Sequence, residues 1–301
     1  GFDTHEYSHY IATAPDIKMI NLPKEDEGPK EARGGMSRQL LDISLAAIKP
    51  AHGWANAPED AKESAILFSR GLVRRPVLLL KNAEGVYDRI LMYKNKKAIE
   101  PIAILPNGEF VQGVVDEAIK GNDHYEISRN MRVLNLAPDG SNFRIWCSAE
   151  TDIHDDKVWH PQALYQEIVA NVGYPLPVSN LGSVDHQLIV DCMQENWRRY
   201  MKWQADCLIY MIEQKGAEII FSHIHNDDAQ KHMFIHFAKD NTLGALPAEN
   251  YKQYLRNISQ QNDDYLGRFL PYLDQGWTIL LVSDHGLTCN LTNEVSPLVQ
   301  A

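Results

Sequence analysis

The sequence is poor in cysteine, with four in 301 residues, and poor in basic residues, with 29 Lys and Arg against 40 Asp and Glu. It also has no apolar run approaching the ~20 residues of a membrane span. Each shortage removes a class of protein. Cys147, Cys192, Cys207 and Cys289 have no paired metal spacing. Cys192 and Cys207 fall inside a helical pattern and read as buried, reduced thiols. A net charge of −11 argues against binding to a nucleic-acid polymer, which needs clustered Lys and Arg. No membrane association is expected. No amino-terminal leader pattern is visible, and the expected compartment is the cytoplasm. The sequons at Asn257 and Asn290 are short enough to arise by chance.

What is present is a hydrophobic content of 44%, enough to bury a substantial core in one large domain or two of ordinary size. Residues 1–75 read as a loop-rich segment packing on an α/β core. A Pro-, Glu-, Lys- and Gly-rich stretch covers 21–35, and a leucine cluster suggests a helix around 37–47. From Pro76 to Ala149 short β-rich runs alternate with turn signals at Glu84-Gly85, Pro106-Asn107-Gly108 and Pro138-Asp139-Gly140. This spacing predicts an antiparallel β subdomain over 76–149. Residues 150–301 read as an α/β core. Helices are expected over 161–172, with proline in the first turn, over 184–215, stopped by Gly216, and over 248–273. Apolar runs at 217–222 and 277–282 read as strands. Strand, helix, strand at this spacing predicts a parallel βαβ unit whose strand ends point the same way.

Both predicted strands end in polar clusters. The first leads into His223-Ile224-His225-Asn226-Asp227-Asp228-Ala229-Gln230-Lys231-His232, the second into Ser283-Asp284-His285-Gly286. Asp228 and His232, four apart on a helix, share one face and supply two ligands for a divalent ion. Asp284 and His285, on a tight turn after a strand, can reach one metal from two angles or two neighbouring metals. Two ions roughly 3.5–4 Å apart clamp both oxygens of a phosphoryl displacement. Each pattern alone has a plainer reading. Asp-x-x-x-His is commonly a solvated helix face, and Ser-Asp-His-Gly a capped turn. Their joint occurrence at the ends of two neighbouring strands favours the metal site. For His223 and His225, and for His5 and His9, the plainer reading is the stronger one. Trp197, Tyr200, Trp203 and Tyr210 lie at helical spacing and read as core packing.

The combination His225-Asn226-x-Asp228-Ala229-x-x-His232 with Val282-Ser283-Asp284-His285-Gly286 resembles the type I phosphodiesterase/nucleotide pyrophosphatase family of the alkaline phosphatase superfamily. The stretch Arg144–Gly173, with Ile153, Trp159-His160-Pro161 and Asn171-Val172-Gly173, is similar to large bacterial members carrying an inserted β subdomain. The resemblance implies an alkaline-phosphatase-like sheet flanked by helices. It also implies that Asp228 and His232 bind one Zn²⁺ and Asp284 and His285 a second, with Mn²⁺ as the other candidate metal. The implied activity is two-metal hydrolysis of phosphodiester or pyrophosphate bonds in a small phosphorylated substrate.

There are departures from the family pattern. Lys231 stands where the family has glycine before the first-motif histidine. No strand ending in a metal-binding Asp, followed by a Thr or Ser nucleophile, precedes Asp228. The histidine that completes the first metal site in the family lies well beyond the second motif. The chain therefore reads as the middle of a longer protein, inactive by itself, because two parallel strands are too few for a two-sided sheet. The same ligand set also suits a sulfatase, a phosphonate hydrolase or a phosphoglycerate mutase. A non-catalytic scaffold that binds a phosphorylated ligand or a partner is the alternative outside the enzymes.

Overall fold

The structure, a computed structural model, describes residues 9–14, 18–19, 43–155, 159–178, 186–231, 248–283 and 285–286. Within them the chain forms two antiparallel sheets and several helices, a mixed α/β architecture. The first sheet contains β1 (His9–Ala14), β2 (Lys18–Met19), β9 (Phe110–Lys120), β10 (Asp123–Leu136), β11 (Phe143–Ser148) and β12 (Thr151–Asp152). Its order is β12-β10-β11-β1-β2, with β9 also paired to β10. The second sheet contains β3 (Ser44–Leu45), β4 (Lys49–Pro50), β5 (Lys62–Phe68), β6 (Val73–Lys81), β7 (Tyr87–Met92) and β8 (Ala103–Pro106). Its order is β3-β5-β6-β7-β8, with β4 on β5.

Turn chemistry sets the registers. Asp123 pairs with Lys120, so β9 and β10 are joined by the two-residue loop Gly121-Asn122. Gly121 has φ +65°, the left-handed conformation that such a tight hairpin turn demands and that glycine adopts without steric cost. Between β6 and β7, Asn82 Oδ1 accepts from the backbone amides of Glu84 and Val86, fixing the Glu84-Gly85 turn.

The alternation of side chains along each strand divides the core into two layers. On β11, Phe143, Ile145 and Cys147 face the second sheet, where they pack with Val77, Leu79, Ile90 and Met92. Trp146, between them in sequence, faces the opposite way and packs with the helices. Those helices are α1 (Gln162–Asn171), α2 (Glu195–Lys215) and α3 (Ala248–Gly267). The first sheet therefore lies between the second sheet and the helices.

Pro161 is the N-cap residue of α1. A π-helical stretch, Leu188–Gln194, leads into α2, and Gly216 ends α2 at φ +65°. Trp197, Tyr200 and Trp203 are buried, the core role that their helical spacing predicts. Cys147, Cys192 and Cys207 are buried free thiols. Cys289 lies outside the described residues, as do His5 and residues 37–42.

Four expectations are corrected. The division at residue 75 is not observed, because strands read as part of a loop-rich segment pair within the same sheets as those of 76–149, β1 with β11 and β5 with β6. The leucine cluster near residue 40 does not give a helix at its described end, because Ser44–Leu45 pairs with β5. The last predicted helix stops at Gly267, and a 3-10 helix follows over Leu270–Gln275. The parallel βαβ unit is absent among the described residues: 217–222 and 277–283 carry no strand. Most of their apolar side chains face solvent, with Phe221 94% and Val282 87% exposed. A parallel strand needs neighbours for its backbone groups and layers for both faces, and among the described residues neither segment has a ladder partner.

Candidate metal-binding site

Two helix exits build the site. At the first, the αL conformation of Gly216 turns the chain out of α2, and the Ala217 amide closes back on Met211 O at 3.1 Å. The chain then runs along the helix pair. Ser222 Oγ is hydrogen-bonded to Tyr265 OH on α3, and Gln204 Nε2 on α2 donates to His223 O at 2.9 Å. A helical turn follows over 226–231, opened by the bond from Ala229 N to His225 O at 3.0 Å. Asn226, Ala229 and Gln230 are buried, the i, i+3, i+4 pattern of one inner face. Asp228 therefore stands off that face and remains partly accessible, as do Asp227 and Lys231. These last two pair with each other at 2.7 Å.

At the second exit, Gly276 ends the 3-10 helix at φ +88°. Trp277 N bonds to Tyr272 O at 3.1 Å, and the two rings meet edge to face. Further on, Ser283 Oγ donates to His285 O at 2.8 Å, closing a local turn.

The two exits meet. His285 Nε2 lies 3.9 Å from Asp228 Oδ1, and His225 Nε2 lies 2.7 Å from Asp228 Oδ2. His223 and His225 have ring centroids 5.1 Å apart. The Asp228 carboxylate thus stands between an imidazole of its own turn and one delivered by the other segment. His232 and Asp284, the other two predicted ligands, lie outside the described residues.

Asp228 and His285 are of residue types that could hold a divalent ion. His285 Nδ1 is 3.0 Å from Gly286 O. A carbonyl only accepts, so Nδ1 carries the proton in this contact, and Nε2 faces Asp228. Backbone carbonyls orient metal-binding histidines through the same kind of contact. His225 donates to the carboxylate, the outer support that ligating carboxylates typically receive. Zinc ligand bonds of about 2.0–2.2 Å put two ligand atoms on one tetrahedral ion roughly 3.3–3.6 Å apart. The observed 3.9 Å is within a few tenths of an ångström of that. Among the described residues no group of three or more His, Cys, Asp and Glu side chains has the geometry to hold a metal. Asp228 and His285 by themselves fall short of such a group.

Of the four residues that the sequence pattern singles out, the structure describes Asp228 and His285 and brings them together. His225, which the sequence pattern assigns to the core or a loop, lies beside Asp228, three residues before it in sequence. Compared with known proteins, the chain matches no family model, no curated protein and no solved structure.

Proposed function

We propose that this chain carries part of the active site of a metal-dependent hydrolase of phosphodiester or pyrophosphate bonds, built on an alkaline-phosphatase-like scaffold. The observation that carries the reading is the approach of His285 to Asp228. This approach supports the idea that two motifs resembling the metal-binding motifs of the type I phosphodiesterase/nucleotide pyrophosphatase family would reach one ion. Asp228 and His285 are the described residues that would hold a divalent ion, Zn²⁺ or Mn²⁺, with His232 and Asp284 completing a pair of sites. Bound there, such ions would lower the pKa of the attacking oxygen and neutralise charge developing on the transferred phosphoryl group. His225 would keep the Asp228 carboxylate oriented, and the Gly286 carbonyl would keep the His285 lone pair available. The attacking group, an upstream Thr or Ser in the resemblance, is not present in this chain in this reading.

The test is hydrolysis of bis(p-nitrophenyl) phosphate with added Zn²⁺ or Mn²⁺, by this chain and by a version extended at both ends. The expected result is metal-dependent turnover by the extended protein that Asp228→Ala and His285→Ala each reduce by two orders of magnitude or more. Turnover indifferent to both substitutions, or none from either protein with any divalent ion, would overturn the reading.

A further inference from the structure

Behind the Asp228 turn lies a buried network of amide side chains, unusual in a helical core that could have been filled by leucine. Asn226, Gln230, Gln194 and Gln261 are all buried, and Asn226 and Gln230 are fully so. Gln261, on α3, is at the centre. Its Oε1 accepts from Gln230 Nε2 at 2.7 Å and from Asn226 Nδ2 at 3.2 Å. Its Nε2 donates to the Gln194 backbone carbonyl at 3.0 Å. Gln194 in turn donates through Nε2 to Tyr254 O at 3.0 Å and to Gln230 Oε1 at 3.3 Å. It accepts from Asn257 Nδ2 at 2.7 Å.

Two features make this more than core filling. The first is its position: Asn226 and Gln230 bracket Asp228, one at the start and one near the end of the same short turn. A single acceptor, Gln261 Oε1, holds both, so the rotation of the turn about its axis is fixed from behind. Apolar side chains would bury the same face without fixing that rotation, because hydrophobic contact is non-directional. The second is the anchor. Gln194 is the last residue of the π-helical stretch, where it passes into α2. Irregular helical turns of this kind concentrate at functional sites, and here the carbonyl at the junction takes a side-chain donor from the neighbouring helix.

We infer that Gln261 is a positioning residue for the metal site, setting the direction of the Asp228 carboxylate through Asn226 and Gln230. This rests on the metal-site reading above. Groups that orient metal ligands without touching the ion characteristically change affinity by 10–100-fold when removed.

The experiment measures zinc affinity by competition with a chromophoric chelator for the unaltered chain, Asp228→Asn, Gln261→Met and Asn226→Ala. Circular dichroism and thermal melts are recorded in parallel. Gln261→Met keeps the volume and removes both the acceptor and the donor. The expected result is a folded Gln261→Met protein whose zinc affinity falls 10–100-fold, with Asn226→Ala weaker than the unaltered chain by a smaller factor. If Gln261→Met does not fold, the Asn226→Ala affinity decides. Zinc binding by a folded variant equal to that of the unaltered chain would overturn the positioning role alone. Failure of the unaltered chain to bind zinc, or binding indifferent to Asp228→Asn, would overturn the metal site beneath it.

Discussion

His285 Nε2 faces Asp228 Oδ1 across 3.9 Å, although the two residues belong to segments that leave different helices. Neither segment forms a strand, yet their polar ends converge. Convergence here depends on the packing of α2 against α3, whose side chains Gln204 and Tyr265 tether the first segment through His223 and Ser222. The helix pair, rather than a sheet edge, is the element that positions Asp228.

Gly140 makes a tight approach that a substitution should expose. It has φ +64°, and a Cβ there would sit 2.8 Å from the ring of Tyr87. That ring cannot easily withdraw. Its hydroxyl donates to Asp60 O at 2.7 Å, and Lys62 and Lys81 lie over it at 5.3 and 5.2 Å. Gly140→Ala should therefore destabilise the protein by about 2–4 kcal/mol, from left-handed strain plus overlap. A urea-unfolding midpoint within error of the unaltered protein would contradict this packing.

Glu63 should make stability acid-sensitive over a defined window. Burial alone would raise its pKa, but Lys96, the Trp54 indole, the His52 amide and Lys49 together outweigh it and hold the carboxyl at about 2, against an ordinary 4.5. A depressed carboxyl stabilises the fold above its unfolded pKa, and that stability is lost as pH falls through the folded one. Glu63→Gln should cost on the order of 3 kcal/mol at pH 7. The gap from the unaltered protein should close between pH 4.5 and 2. Denaturant titrations at pH 7, 4 and 2.5 check this, and a gap independent of pH would count against it.

Cys147 and Cys207 should be inert in the folded protein. Burial pushes both thiols up to about 12, leaving almost no thiolate, the reactive form, at pH 8. Iodoacetamide followed by peptide mass spectrometry should leave both unmodified in buffer and alkylate both in urea. Rapid labelling of either without denaturant would mean that its part of the core opens readily.

The helical elements were legible because their signals are local. Pro161 marks the start of α1, Gly216 marks the end of α2, and the Trp197-Tyr200-Trp203 spacing marks a buried face. Much of the β structure was legible from turns such as Pro138-Asp139-Gly140. The long β9–β10 hairpin was only half legible, because charged residues interrupt its apolar pattern. Their burial depends on distant partners: Arg75 bridges Asp116 and Glu117 from the other sheet at 2.7 Å each, and Arg129 pairs with Glu150 at 2.9 Å. No window of sequence contains such pairs. The segments at 217–222 and 277–282 mislead for the complementary reason. Ile219-Ile220-Phe221 and Ile279-Leu280-Leu281-Val282 have strong strand propensity, but a strand is a pairing, and propensity does not supply the neighbour. The meeting of Asp228 with His285 was foreshadowed by the polar clusters that end those runs. The Gln261 network was not, because its members come from three separated helical stretches.

Zinc titration of the chain by isothermal calorimetry at pH 7, alongside Asp228→Asn and His285→Ala, tests the central claim most directly. The account predicts measurable uptake by the unaltered chain and at least a tenfold loss of affinity in each variant, with far-ultraviolet circular dichroism unchanged. Truncating either member of a two-segment site should be felt equally from both sides. No uptake, or uptake that survives both substitutions, would contradict a metal site at the meeting of these two segments.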